Sequence, residues 1–189
     1  PLLAIHLLWV NLVTDSLPAI ALGLDPAEKD VMNRKPYDNH KSLFSDGLSF
    51  RIFVEGCMIG FLSLISFGIG NVFFDPYQTQ EVGRTMAFAT LSISQLVHAF
   101  NMRTEKSLFE IDVFGNKYLV GSFIIGLFLQ VTVISFEPLR EIFNVSKLLP
   151  QEWLVVGILC FLPLGIVELE KLFNKEREKR ISAKTIIIE

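Results

Sequence analysis

Cysteine and charge are both scarce in this chain. Two cysteines, Cys57 and Cys160, occur in 189 residues; they form no Cys-x-x-Cys pair, and both lie in apolar stretches where a thiol is inert packing material. Charged side chains make up 20% of the residues, and 17 Lys+Arg against 20 Asp+Glu leave a net charge of -3. The basic excess of a nucleic-acid-binding domain is absent. No Gly-rich phosphate cradle occurs, nor any internal repeat, low-complexity stretch or soluble domain. Aromatics are not lacking: 17 Phe exclude a disordered chain.

What remains is hydrophobic and arranged in blocks. Hydrophobic residues are 51% of the chain and the mean hydropathy is +0.46. Residues 1–24 hold one formally charged side chain, Asp15, and residues 52–74 hold one, Glu55. Residues 85–102, 118–136 and 153–167 hold none. A membrane-crossing helix needs about 20 mostly apolar residues, and a soluble bundle would show a charged face on each helix. The blocks have no such face. The expected fold is all-α, a polytopic membrane bundle of five transmembrane helices at about 1–24, 52–74, 85–102, 118–136 and 150–170. The whole chain, 1–189, is then one transmembrane domain. The first block has no basic leader or small-residue cleavage site, so it does not read as a signal peptide. The chain starts inside an apolar run at Pro1 without an initiating Met, and it is expected to be the end of a larger protein.

Orientation follows from the basic residues. The loops 25–51 and 103–117 and the tail 171–189 together carry 14 of them, whereas the other side carries Arg84, Arg140 and Lys147. The basic side is expected to be cytoplasmic, with the C-terminus there and Pro1 near the outer face. The basic tail reads as ordinary anchoring beside the bilayer.

The first block departs from hydrocarbon character at its middle. Asn11, Thr14 and Asp15 stand at i, i+3 and i+4, which at α-helical pitch places them on one face. Polar groups at that depth are costly and point to function. Pro18 has no N–H and its ring crowds the Thr14 carbonyl, so the helix is expected to kink or unwind near Pro18. Irregular backbone within a bilayer is tolerated only inside protein or along a cavity. A carboxylate, an amide oxygen, a hydroxyl and a released carbonyl are hard donors of the kind that suit Ca²⁺; no soft ligand lies on that face. The competing reading is an interhelical hydrogen-bond cluster with a protonated or paired Asp15. Three such residues beside a proline favour the ion site.

The run Leu7-Leu8-Trp9-Val10-Asn11-Leu12-Val13-Thr14-Asp15-Ser16-Leu17-Pro18-Ala19 resembles the sixth transmembrane helix of P-type cation-transporting ATPases, most of all the sarcoplasmic-reticulum type of calcium pump and its bacterial relatives. The likeness continues through Gly23-Leu24-Asp25-Pro26 and Asp30-Val31-Met32-Asn33-Arg34-Lys35-Pro36. It implies helices six to ten of such a pump, with Asn11, Thr14 and Asp15 as ion ligands and Asp15 the bridging carboxylate. It also implies that the loop 25–51 couples the membrane helices to a cytoplasmic phosphorylation domain. The segment Thr85–Asn101 resembles the eighth helix, where two-site calcium pumps have a Glu; here the position is Gln95. An amide can coordinate but brings no charge, so one Ca²⁺ per cycle is the expectation. Ser16 replaces the family's Gly, which makes unwinding less easy.

The Asp-Lys-Thr-Gly-Thr phosphorylation motif and the Glu-x-x-Pro helix of the family do not occur in this chain. No catalytic residue is therefore assigned within it. The resemblance implies that ATP and Mg²⁺ act only in the intact translocase, together with N-terminal helices and cytoplasmic domains of the same pump. The expected partners are the transported cation and the lipid bilayer, not nucleic acid, and the expected location is the cell membrane as a multi-pass protein. A Na⁺/K⁺- or H⁺-type pump is the alternative within the family, and an ion channel or secondary transporter the alternative outside it. A secondary transporter would typically carry a second broken helix, and no other span has a Pro in its middle beside acids. Among the other polar residues, Glu55 is expected to pair with Arg51 at i, i+4. His98 and Asn101 read as interface residues, and Gln130 as helix–helix glue.

Overall fold

The computed structural model describes residues 2–26, 48–75, 79–103 and 113–188, with Met32, Tyr77 and Leu108, and describes side chains as far as Phe173. Most of the loops expected at 25–51 and 103–117, and the side chains of the tail beyond Phe173, lie outside the described residues. The described part is helical and contains no strand. Its helices are α1 (Ala4–Trp9), α2 (Ser16–Gly23), α3 (Leu48–Ile69), α4 (Glu81–Met102), α5 (Lys117–Ser135), α6 (Glu137–Phe143) and α7 (Pro150–Ile188). A π-helical turn, Val10–Asp15, joins α1 to α2, and another, Gly70–Phe74, ends α3.

Four stretches are long and apolar enough to cross a membrane: Ala4–Gly23, Leu48–Phe74, Lys117–Ser135 and Pro150–Phe173. The chain is thus a multi-pass membrane protein. The fifth expected span is α4, whose 22 residues rise about 33 Å at ~1.5 Å each, enough for the hydrocarbon layer. It is less apolar for a physical reason: its neighbours are protein. Fourteen of its residues are buried, and it packs against α3, α5, α7 and the first π turn. Met86, Ala89, Ile93 and Val97 meet Val156 and Cys160 of α7 and Ile134 of α5. On another side Phe88 joins Val10, Val133 and Phe143.

Small and hydroxyl-bearing residues suit this central position, because they let backbones approach and still offer hydrogen bonds between helices. Thr90 Oγ1 donates to Ser66 Oγ at 2.8 Å and Ser63 Oγ to the Ala87 carbonyl at 3.0 Å, tying α3 to α4. Farther along the pair, Gly70 and Gly83 face each other so closely that a Cβ on Gly70 would lie 2.5 Å from the Gly83 Cα.

Each α4 and α5 start is fixed by a side chain. Asp75 Oδ2 accepts from the Gln80 amide at 2.6 Å and from Thr79 Oγ1 at 3.1 Å, and Gln80 turns the chain with a left-handed φ of 63°. Burial pushes the Asp75 carboxyl up, but these hydrogen bonds outweigh it and hold it below the usual carboxylate range. Asn116 caps α5 by accepting from the Leu119 amide at 3.0 Å, and its Nδ2 donates to the Ala21 carbonyl at 2.9 Å. The stretch ahead of α5 is thereby pinned to the end of α2.

Candidate functional site

The irregularity expected at Pro18 takes the form of the π turn just before it. The chain stays helical through Pro18 but fits extra backbone into one turn over Val10–Asp15. Pro18 is buried and offers no N–H to the turn behind it. Two hydroxyls serve the widened turn: Thr14 Oγ1 lies 2.8 Å from the Val10 carbonyl, and Ser16 Oγ donates to the Asn11 carbonyl at 2.9 Å. Single π turns within α-helices recur at functional sites.

The π turn rearranges the face expected from α-helical spacing. A wider turn opens the angle between residues three apart while i and i+4 stay in line. Asn11 and Asp15 are accordingly exposed together, whereas Thr14 is 1% exposed and turned into the bundle. There its hydroxyl lies 3.3 Å from Gln95 Oε1 of α4. One hydroxyl proton serves either Val10 or Gln95. The four residues singled out in the sequence therefore form two pairs: Thr14 with Gln95 inside, Asn11 with Asp15 on the open flank. Among the described residues no cluster of three His, Cys, Asp or Glu could hold a metal; the donors here are instead a single carboxylate with neutral oxygens.

The helix ahead of the π turn is anchored by two contacts invisible in the sequence. His6 is fully buried; its Nδ1 accepts from the Leu3 amide at 3.3 Å, so Nε2 carries the proton and donates to the Phe143 carbonyl at 2.7 Å. Its ring stacks on Phe88 with centroids 4.5 Å apart. Trp9 Nε1 donates to Gln130 Oε1 of α5 at 2.8 Å. Gln130 is the helix–helix bridge expected of it, and its partner is Trp9. His6 was missed because a histidine inside an apolar run gives no hint of which carbonyl will face it.

A second polar group lies at the end of the bundle where α2 terminates. Arg51 Nε donates to Glu55 Oε1 at 2.8 Å, the expected i, i+4 pair. Glu55 is nonetheless 5% exposed, and His98 Nε2 donates to its other oxygen at 3.1 Å. Lys171 Nζ donates to the Asn101 carbonyl at 3.1 Å and lies 3.5 Å from Glu168. Both Glu168 oxygens accept from the Leu108 amide, at 3.2 and 3.1 Å. Arg103 Nε pairs with Asp25 Oδ2 at 3.0 Å. These bonds join α3, α4 and α7 at one end of the bundle. Removing one partner of a buried pair costs about 3–5 kcal/mol, whereas exposed ions contribute about 0–1 kcal/mol. Glu55→Ala removes the bonds to both Arg51 and His98 and is therefore expected to lower the thermal midpoint of the protein in detergent clearly more than Arg51→Ala, which leaves Glu55 its bond from His98. Equal losses from the two substitutions would contradict a buried anchoring role for Glu55.

Comparison with known proteins identifies the family. Residues 1–173 match the family model described as cation transporting ATPase, C-terminus. A protein named calcium-transporting ATPase 1, from Bacillus cereus, is 46% identical over an alignment of 189 residues, covering 93% of this chain and 21% of that protein. The calcium-transporting ATPase of Bacillus subtilis is 40% identical, over 82% of this chain and 17% of its own length. One from Listeria monocytogenes is 34% identical, over 93% and 20%. The chain spans about a fifth of the length of these relatives.

Proposed function

Since the chain belongs to the family of cation-transporting ATPase C-termini, we propose that it is the C-terminal membrane part of an ATP-driven calcium pump. It supplies part of the intramembrane ion site and the loop that couples this site to a phosphorylation domain. The observation that carries the reading is the π turn Val10–Asp15, which presents the Asp15 carboxylate and the Asn11 amide together at mid-span. Hard oxygen donors at a helix irregularity suit Ca²⁺. The relatives named for calcium transport, at up to 46% identity, support Ca²⁺ as the cargo. ATP and Mg²⁺ act on the remaining domains of the intact protein.

In this reading the end of the bundle holding Arg51, Arg103 and Lys171 faces the cytoplasm, as the concentration of basic residues there favours. The loop 25–51 lies on that side, within reach of a phosphorylation domain. The protein sits in the cell membrane.

Gln95 sets the stoichiometry. Its amide adds an oxygen but no negative charge beside Thr14, so the site neutralises one divalent ion less readily than a carboxylate there would, and a second ion has no charged ligand of its own on α4. One Ca²⁺ per phosphorylated enzyme is expected from equilibrium binding on the intact pump, measured alongside Ca²⁺-stimulated ATP hydrolysis. Two ions per phosphorylated site would overturn the stoichiometry, and hydrolysis indifferent to Ca²⁺ would overturn the pump reading.

A further inference from the structure

We propose that Gln130 is a positioning residue: through its bond to Trp9 it holds the π turn that presents Asn11 and Asp15. The inference rests on the calcium-pump reading for its ion, but its geometry stands on the fold alone.

Gln130 is fully buried on α5. An indole N–H can only donate, so the 2.8 Å bond from Trp9 Nε1 fixes the orientation of the Gln130 amide with its oxygen toward Trp9. The Gln130 Nε2 then has no hydrogen-bond partner. The register of α4 against α5 locates it: the Leu96 side chain fills the space over Gly126, and Phe100 meets Phe123 with ring centroids 5.6 Å apart. The helices therefore run antiparallel, and Ser92, one turn before Leu96, stands level with Gln130, one turn after Gly126. Ser92 Oγ is also buried without a partner. Buried polar groups are almost always satisfied, and exceptions call for a reason. Leucine or methionine would fill this position with no unmet donor. What Gln130 adds over them is one directed bond, to Trp9.

That bond falls where it has most leverage. Trp9 is the last residue of α1 and the N-cap of the π turn. On the far side of the turn Thr14 touches Gln95. A π turn is an α-helix with surplus backbone, and the surplus can be expelled if either flank is free to turn. Each residue of helix accounts for about 100° of rotation and ~1.5 Å of rise. The His6 bond to the Phe143 carbonyl still holds the start of α1, so loss of the Trp9 anchor would free only the end of α1 next to the turn, and Asn11 and Asp15 would change their relation to the interior pair.

The test uses the intact pump with Trp9→Phe, Gln130→Met and the double substitution, which remove the bond while keeping an aromatic ring at 9 and an unbranched side chain at 130. The half-saturating Ca²⁺ concentration for ATP hydrolysis is expected to rise roughly tenfold in each single variant and no further in the double, because one bond is lost in all three. The maximal rate per phosphorylated enzyme should stay near that of the parent. Hydrogen exchange of the amides of residues 10–16, followed by mass spectrometry, should accelerate in all three. Half-saturation within twofold of the parent together with unchanged exchange would overturn the proposal. So would loss of phosphorylated enzyme without a shift in half-saturation, or effects that multiply in the double variant. Faster exchange with the Ca²⁺ dependence unmoved would also overturn it, since the turn would then be loosened without effect on the ion site; hydrolysis indifferent to Ca²⁺ in the parent would refute the calcium reading and leave the anchor to be judged by exchange alone.

Discussion

Replacing Asp15 by Asn in the intact pump is expected to raise the Ca²⁺ concentration for half-maximal ATP hydrolysis by roughly a hundredfold, ~2.7 kcal/mol of binding energy. The substitution keeps size, shape and an oxygen donor, and removes only the charge. In a low-dielectric site that charge is the main attraction for a divalent cation. The fold should not suffer: Asp15 is exposed on the flank of the π turn, and no ion pair to it occurs among the described residues. Thermal stability in Ca²⁺-free buffer is expected to be equal or higher, because an uncompensated carboxylate at mid-span is itself unfavourable. Unchanged Ca²⁺ affinity in Asp15→Asn would end the claim that this residue coordinates the ion.

Gly83→Val is expected to have the largest effect on the bundle itself. A Cβ at Gly83 would lie 2.6 Å from the Phe67 carbonyl and closer still to Asn71 Oδ1, and Gly70, on the same stretch of chain, packs directly on the Gly83 backbone. The obstacle at Phe67 is backbone, so α3 and α4 must move apart. Overpacking typically costs about 1–3 kcal/mol for small additions, and the central place of α4 puts this substitution at or above the upper end. Gly60, in the same helix pair, has open space around it, with nothing within 4 Å of where a Cβ would sit. Gly60→Ala should be neutral, or stabilising by up to ~1 kcal/mol from helix propensity. Thermal unfolding in detergent separates the cases, and a Gly83→Val protein as stable as Gly60→Ala would refute the close crossing.

The stretches that cross the bilayer were legible because hydrocarbon imposes a one-dimensional rule: about 20 residues without charge. Leu48–Phe74, Lys117–Ser135 and Pro150–Phe173 obey it, and so does Ala4–Gly23 around its single Asp15. The Arg51–Glu55 pair was legible too, since residues four apart on a helix meet by geometry alone. α4 obeys the rule less well. Its Ser and Thr residues signal protein neighbours, but which neighbours they have depends on how the helices pack.

At the candidate site the division is sharper. The residue types at 11, 14, 15 and 18 announced oxygen donors beside a helix irregularity, because side-chain chemistry and the missing proline N–H belong to the chain itself. Their grouping did not follow. Counted at α-helical pitch, Asn11, Thr14 and Asp15 share one face; the π turn sends Thr14 inward to Gln95 and leaves Asn11 with Asp15.

The sequence by itself determined the chemistry and the spans: what each block can bury, which donors it carries, and which family it belongs to. Only the tertiary structure decided the partners, among them His98 with Glu55, His6 with the Phe143 carbonyl and Trp9 with Gln130. The physical reason is separation. Those pairs lie 43, 137 and 121 positions apart, and no local rule of pitch or polarity reaches across such distances. The register of one helix against another, set by contacts such as Leu96 over Gly126, has to bring them together.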